Sequence, residues 1–190
     1  MRIMRLRGKK IGIVGFGRIG RAVCARARAF GFDVLTSDPF VSAEAVAQEG
    51  GTLVDLDTLL QESDFVTLHS PLNDDTRNMI GSRELSLMKP ESFLINCARG
   101  PLIDEDALYD ALSGQQIAGA GLDVMVDAEP PPDTPLFKLD NLLVTPHVAF
   151  FSQEATLELE QRAAREVAYV LTGRMPDNLV NPAVLDHSNP

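Results

Sequence analysis

Near the start of this 190-residue chain, the run Gly12-Ile13-Val14-Gly15-Phe16-Gly17-Arg18-Ile19-Gly20 has the spacing of a phosphate-cradling turn. In such a turn Gly15 permits the tight bend, Gly17 lets a pyrophosphate approach the backbone, and Gly20 lets the following helix pack closely on the strand. The N–H groups of that helix start would face the anion, helped by the helix dipole and by Arg18. Ile19 begins the apolar spacing continued by Ala22, Val23, Ala27 and Phe30. G-x-G-x-x-G alone is a common turn pattern, but here it follows a β-branched run and opens a helical one. Asp38 stands 18 residues after Gly20, near the ~20 expected of a carboxylate that accepts hydrogen bonds from an adenosine ribose. No Lys or Arg follows in Pro39-Phe40-Val41-Ser42, so a 2′-phosphate would meet repulsion and NAD is expected over NADP. The plainer alternative is a structural glycine turn with a capping or surface Asp.

Three polar residues in the second half supply reactive groups: Arg99, Glu129 and His147. A histidine near neutral pKa can pass a proton to or from a hydroxyl or carbonyl, and a carboxylate beside it favours the charged form. An arginine fork suits a substrate carboxylate and can polarise a carbonyl. With a nicotinamide this is the equipment for hydride transfer at a hydroxyl-bearing carbon. Singly, each has a plainer reading as a loop hydrogen-bonder, a surface turn and a loop entry.

The elements that must position these groups are short β-branched runs alternating with helical patterns. Strands are expected at residues 10–14, 33–37, 52–54, 65–69, 93–96, 117–124 and 142–145, with helices between nearly all of them. Strands apolar on both faces imply a doubly wound (Rossmann) α/β fold, a mostly parallel sheet of about seven strands with helices on both sides. Arg99 and His147 then follow strand ends, where ligands of open α/β sheets bind. Helix starts are expected at Asp55, Ser82, Asp104 and Ser152, and stops at Lys89-Pro90, Gly114 and Gly173. The helix over 153–171 is expected to bury its apolar face in a core, at a subunit interface.

Composition narrows the class. Hydrophobic residues make up 45% and charged residues 23%, a balance that can bury a core and excludes collagen, a long disordered tail and a membrane protein. No secretory or transmembrane segment is present, so a cytoplasmic protein is expected. Residues 1–32 hold nine Lys or Arg and no acid, while the rest, with eight basic and 27 acidic residues, carries −19. That acidic remainder argues against nucleic acid as a partner. Cys24 and Cys97 are too few for a disulfide framework; Cys97 is expected as a small buried residue at a strand end. His69, expected as a hydrogen-bonded structural residue, His147 and His187 are too scattered for a metal site.

Several segments keep a familiar order: Leu6-Arg7-Gly8-Lys9-Lys10, Ser70-Pro71-Leu72 with Thr76-Arg77, Met88-Lys89-Pro90, Asn96-Cys97-Ala98-Arg99-Gly100, Gly121-Leu122-Asp123-Val124, Glu129-Pro130 and Thr145-Pro146-His147. From about Leu6 to Val184 the chain resembles the NAD-dependent D-isomer-specific 2-hydroxyacid dehydrogenases. Val148-Ala149-Phe150-Phe151-Ser152 looks most like the phosphoglycerate, glyoxylate and C-terminal-binding-protein branches. The resemblance implies that Arg99 binds the substrate carboxylate or carbonyl, His147 is the general acid/base, and Glu129 pairs with His147. It also implies that Asp123 and the backbone of Cys97 and Ala98 hold the nicotinamide carboxamide side, while Pro71, with Ser70 and Thr76, lies along the adenosine. The partner expected is a small 2-hydroxy or 2-keto acid, in a homodimer.

Two departures matter. Val-Met-Val-Asp-Ala separates Asp123 from Glu129, one residue more than usual in the family, which could move Glu129 out of line and make Asp127 a substitute. The chain also starts almost at the glycine motif, so residues 6–173 are expected to be the NAD-binding domain without the N-terminal substrate-binding domain of relatives. Residues 174–190 are then the tail that in relatives returns to that domain. A second reading stays open: a non-catalytic NAD(H)-binding module whose work is dinucleotide-dependent assembly.

Overall fold

Strands form where β-branched and leucine residues alternate inward and outward, and here both faces are buried. In the computed structural model, which describes residues 5–187 and the side chains of 5–185, β1 (Lys10–Val14) sends Ile13 to one face and Val14 to the other. Ile13 joins Val34, Cys24, Ala27 and Val46 in one cluster, and Val14 joins Leu35, Leu59, Leu85, Leu94 and Leu108 in the second. The first cluster is covered by α1 (Arg18–Ala29) and α2 (Ala43–Gln48). The second is covered by α3 (Leu56–Glu62), α4 (Ser82–Leu87) and α5 (Glu105–Ser113). A period of two along each strand thus requires helices on both sides.

The remaining strands are β2 (Asp33–Ser37), β3 (Thr52–Leu53), β4 (Phe65–Leu68), β5 (Phe93–Asn96), β6 (Gly119–Leu122) and β7 (Leu142–Val144). All seven run parallel in the order β3-β2-β1-β4-β5-β6-β7. The order reverses between β1 and β4, the switch point at which open sheets bind ligands. Register pairs Val14 with Ser37 and Leu68, Leu68 with Asn96, Asn96 with Leu122, and Leu122 with Val144. Consequently Gly15, Asp38, His69, Cys97, Asp123 and Thr145 all leave the sheet along one edge.

The fold class matches the sequence expectation, with shorter ends. The sixth strand pairs only over Gly119–Leu122, because the Asp123 carbonyl turns to a loop donor. Asp55, Asp104 and Ser152 cap their helices, accepting from Thr58, from Asp106 and Ala107, and from Ala155. Ser82 does not: Gly81 is the cap, and Glu84 reaches back to accept from its N–H at 3.1 Å, so Ser82 is the first helical residue.

The chain divides into two units after Ala149. The second contains α6 (Gln153–Leu171), where Glu166 accepts from the Asp177 N–H and the Asn178 side-chain amide, and Arg174 lies over the Tyr169 ring. Within the single chain none of the described residues of this helix is buried, and Leu157, Val167 and Leu171 are exposed. Among the described residues no helix is long and apolar enough to cross a membrane.

Candidate functional site

The glycine turn is built by steric necessity. Gly15 has φ +91°, and a Cβ there would lie 2.7 Å from the Ser70 nitrogen; one at Gly20 would lie 2.2 Å from the Gly15 oxygen. Gly17 differs, because a Cβ there would meet nothing within 4 Å. It caps α1 without a side-chain bond, and the first turn carries no acid. Arg18 and Ile19 are exposed beside it. A helix start with open space in front and no anionic competitor fits a pyrophosphate.

Asp38 follows β2 and accepts from the Phe16 N–H at 2.7 Å through one oxygen and from the Phe40 N–H at 2.8 Å through the other. Both bonds fix the carboxylate while leaving lone pairs for further donors. Past β4, half-buried Ser70 and exposed Pro71 lead into a turn in which Thr76 donates to the Pro71 carbonyl at 2.7 Å and Asn73 accepts from the Asp75 and Thr76 amides. His69 bonds Thr67 at 3.0 Å, and burial pushes its pKa down.

Beyond β5 the Asn96 side chain shapes the next turn, accepting from the Ala98 N–H at 3.0 Å and donating to the Arg99 carbonyl at 2.9 Å. Cys97 is exposed, which corrects the expectation of a buried residue: β5 ends at Asn96, so Cys97 already lies on the open edge. Desolvation and the Asp123 charge push its thiol pKa up, away from the thiolate a nucleophile needs. Arg99 is exposed, and its guanidinium donates to the Ala98 carbonyl at 2.6 Å. Gly100 packs so closely on the chain opposite that a Cβ would come within 2.0 Å of the Met125 carbonyl.

His147 follows β7 in a left-handed backbone, φ +53°, a conformation costing a side-chain-bearing residue about 1–2 kcal/mol. Its N–H donates to the Asp123 carbonyl at 2.9 Å and the Thr145 carbonyl at 3.0 Å. Asp123 is buried, and its carboxylate accepts from Thr145 Oγ1 at 2.6 Å and from the Val148 and Ala149 amides at 2.9 Å each. Burial pushes this carboxyl up, but these bonds and the His147 charge outweigh it and hold it below the usual range. Arg99, Asp123, Asp127, Phe137 and His147 line one cavity of about 780 Å³. Glu129 is exposed, and its N–H donates to the Asp127 carboxylate at 3.0 Å.

The candidate cofactor and catalytic residues therefore lie along the carboxyl edge of the sheet or in the loops beyond it. The sequence reading missed the shaping roles of Asn96 and of Thr145, whose partner lies 22 residues away and leaves no local pattern. Among the described residues no group of three or more His, Cys, Asp or Glu could hold a metal; the His187 side chain lies outside them.

Residues 1–149 match the family described as D-isomer specific 2-hydroxyacid dehydrogenase, NAD binding domain. The chain is 45% identical over 185 residues to glyoxylate reductase from Thermococcus litoralis, covering 97% of this chain and 56% of that protein. It is 43% identical over 179 residues to D-3-phosphoglycerate dehydrogenase from Methanocaldococcus jannaschii, covering 94% and 34%. The structure of D-lactate dehydrogenase with NAD+ from Lactobacillus jensenii superposes with a TM-score of 0.84 at 33% identity, covering 93% of this chain and 57% of that one. The chain thus spans between a third and three fifths of the length of these relatives.

Proposed function

The chain belongs to the D-isomer specific 2-hydroxyacid dehydrogenase family, as its NAD binding domain, and we propose that it serves hydride transfer between NAD(H) and a small D-2-hydroxy acid or its 2-keto acid. The observation that carries this reading is that Arg99 and His147 open on one cavity at the sheet edge that also bears the glycine turn and Asp38. In this reading the α1 start, with Gly15, Gly17, Arg18, Ile19 and Gly20, takes the pyrophosphate, and Asp38 takes the adenosine ribose. Ser70, Pro71 and Thr76 border the adenosine, and Cys97, Ala98 and Asp123 border the nicotinamide side.

NAD, when bound, supplies or takes the hydride. Arg99 grips the substrate carboxylate or polarises its carbonyl. His147 gives a proton to the carbonyl oxygen in reduction and takes it from the hydroxyl in oxidation. The loop carboxylate that partners His147 is Glu129 by resemblance, or Asp127, which shares the cavity.

The test is NADH consumption by the purified chain with glyoxylate, hydroxypyruvate, phosphohydroxypyruvate and pyruvate, against His147→Gln. The expected result is turnover of at least one acid, lowered about 10²–10⁴-fold in the variant, with NADH affinity unchanged. Equal turnover in the variant would remove His147 from the chemistry. NADH binding without turnover of any acid would overturn the catalytic reading and favour the assembly module.

A further inference from the structure

We infer that Asn96 is a positioning residue for substrate binding, whose buried carboxamide holds the turn from Cys97 to Gly100 in the shape that presents the Arg99 guanidinium to the cavity. This rests on the reading of Arg99 as the group that grips the substrate carboxylate. Asn96 ends β5 with none of its surface exposed, in register with Leu68 on one side and Leu122 on the other. A buried amide between two leucines is unfavourable unless its polar atoms are bonded, and every printed bond of this one goes to the turn that follows. Its main-chain carbonyl accepts from the Asp123 N–H at 2.9 Å, which ties the start of the turn to the chain leaving β6.

The carboxamide brackets Arg99 between two fixed peptide units. Asn96 Oδ1 accepts from the Ala98 N–H at 3.0 Å, which fixes the unit joining Cys97 to Ala98, and Nδ2 donates to the Arg99 carbonyl at 2.9 Å, which fixes the unit joining Arg99 to Gly100. The unit between them is held from both ends, and its carbonyl accepts from Arg99 Nη1 at 2.6 Å. The guanidinium, though exposed, thus rests on an oxygen whose direction Asn96 sets. Past Arg99 the turn is closed as well: the Leu102 N–H donates to the Arg99 carbonyl at 3.2 Å, and Gly100 is seated against Met125. A long arginine side chain loses rotamer freedom when it grips an anion, and a preset direction reduces that loss.

The test uses the 190-residue chain with Asn96→Ser, with Arg99→Ala and with both. The shorter hydroxyl of Asn96→Ser can still accept from the Ala98 N–H but does not reach the Arg99 carbonyl. Hydrogen exchange of the Leu102 and Ile103 amides, which close the turn on the Arg99 and Gly100 carbonyls, is followed by NMR. Affinity is measured for oxamate, an unreactive carboxylate shaped like pyruvate, with every variant saturated in NADH. Saturation is needed because the same turn carries Cys97 and Ala98, so NADH affinity is expected to fall too. Asn96→Ser should speed exchange about tenfold or more and weaken oxamate about tenfold. Added to Arg99→Ala, it should weaken oxamate less than about threefold further. In the turnover assay KM for the acid should rise by a larger factor than kcat falls. Unchanged exchange would refute the hold. Oxamate losses that multiply in the double variant would also overturn the inference, since Asn96 would then act by a route other than Arg99, while the carboxylate reading stands. Equal oxamate affinity in Arg99→Ala and the parent would remove the carboxylate reading and the inference with it. Should Asn96→Ser not fold, Asn96→Asp keeps the size and the acceptor but sets an oxygen against the Arg99 carbonyl, and the same two measurements decide.

Discussion

Asp38 clamps two backbone amides, and in the proposed function it also takes the adenosine ribose. Replacing it by alanine removes the acceptor of the Phe16 N–H and of the Phe40 N–H, at 2.7 and 2.8 Å. Phe16 is 1% exposed and Phe40 93%, so water can replace the carboxylate at Phe40 but not at Phe16. A buried N–H left unpaired costs about 1–3 kcal/mol, which lowers the melting temperature by roughly 4–8 °C for a destabilisation of about 2 kcal/mol at this chain length. The cofactor effect is distinct. Each hydrogen bond from a ribose hydroxyl to an ionised carboxylate contributes about 1.5–3 kcal/mol, so NADH affinity should fall about 10- to 150-fold per bond lost. NADPH affinity should hold or rise, because the charge facing its 2′-phosphate is gone. Fluorescence titration of Asp38→Ala with NADH and NADPH, beside a thermal melt, reads both. A lower melting temperature with an unchanged NADH-to-NADPH affinity ratio would show that Asp38 is only a clamp for the Phe16 and Phe40 amides and would refute the ribose assignment.

Two further outcomes follow from packing and charge. Gly100→Ala places a Cβ 2.0 Å from the Met125 carbonyl and 2.5 Å from the Val126 nitrogen; backbone cannot rotate away, so a loss above the ~1–3 kcal/mol of ordinary overpacking is expected in a denaturant melt. Gly121→Ala, with nothing within 4 Å of its Cβ, is the control, and equal melts for the two would discredit the steric argument. At the opposite end of the sheet, burial raises the Asp64 pKa, but the bond from the Lys10 N–H and the charges of Lys89 and Lys9 prevail and lower it. A carboxyl depressed in the folded state stabilises fully above its unfolded pKa of about 3.9, and this contribution disappears as pH falls through the folded value. Asp64→Asn should therefore be less stable than the parent at pH 7 and approach it in acid, and a difference independent of pH would exclude the ion pairs as the cause.

Strand and helix alternation was legible because apolar residues on both faces of short runs leave one architecture, and the glycine spacing and Asp38 were legible because their constraints are local. What escaped depends on which partner each residue finds. Ser82 has the residue type of a cap, but Glu84 reaches back to Gly81 and makes that glycine the cap. Cys97 is of a type most often buried, but it follows the strand end at Asn96, and that position is exposed. α6 has the spacing of a packed helix, and within the single chain its residues are unburied.

The same limit explains why the candidate site reads as three unrelated loops in the sequence and as one object in the structure. The segment from Asp123 to Val126 is the common reference. On one side Asp123 holds the backbone that carries His147; on the other, Met125 lies against Gly100, the residue after Arg99. Val126 is itself fixed, its N–H donating to Glu105 in the first turn of α5 at 2.6 Å. In the proposed function a guanidinium and an imidazole that must meet one small acid are thus set from a single stretch of chain, and a shift of ~1 Å in it can cost on the order of a hundredfold in rate. Beyond Val126 the loop leaves these anchors, and exposed Asp127 and Glu129 lie there, so in the proposed function the carboxylate partner of His147 can vary while the positions of Arg99 and His147 cannot.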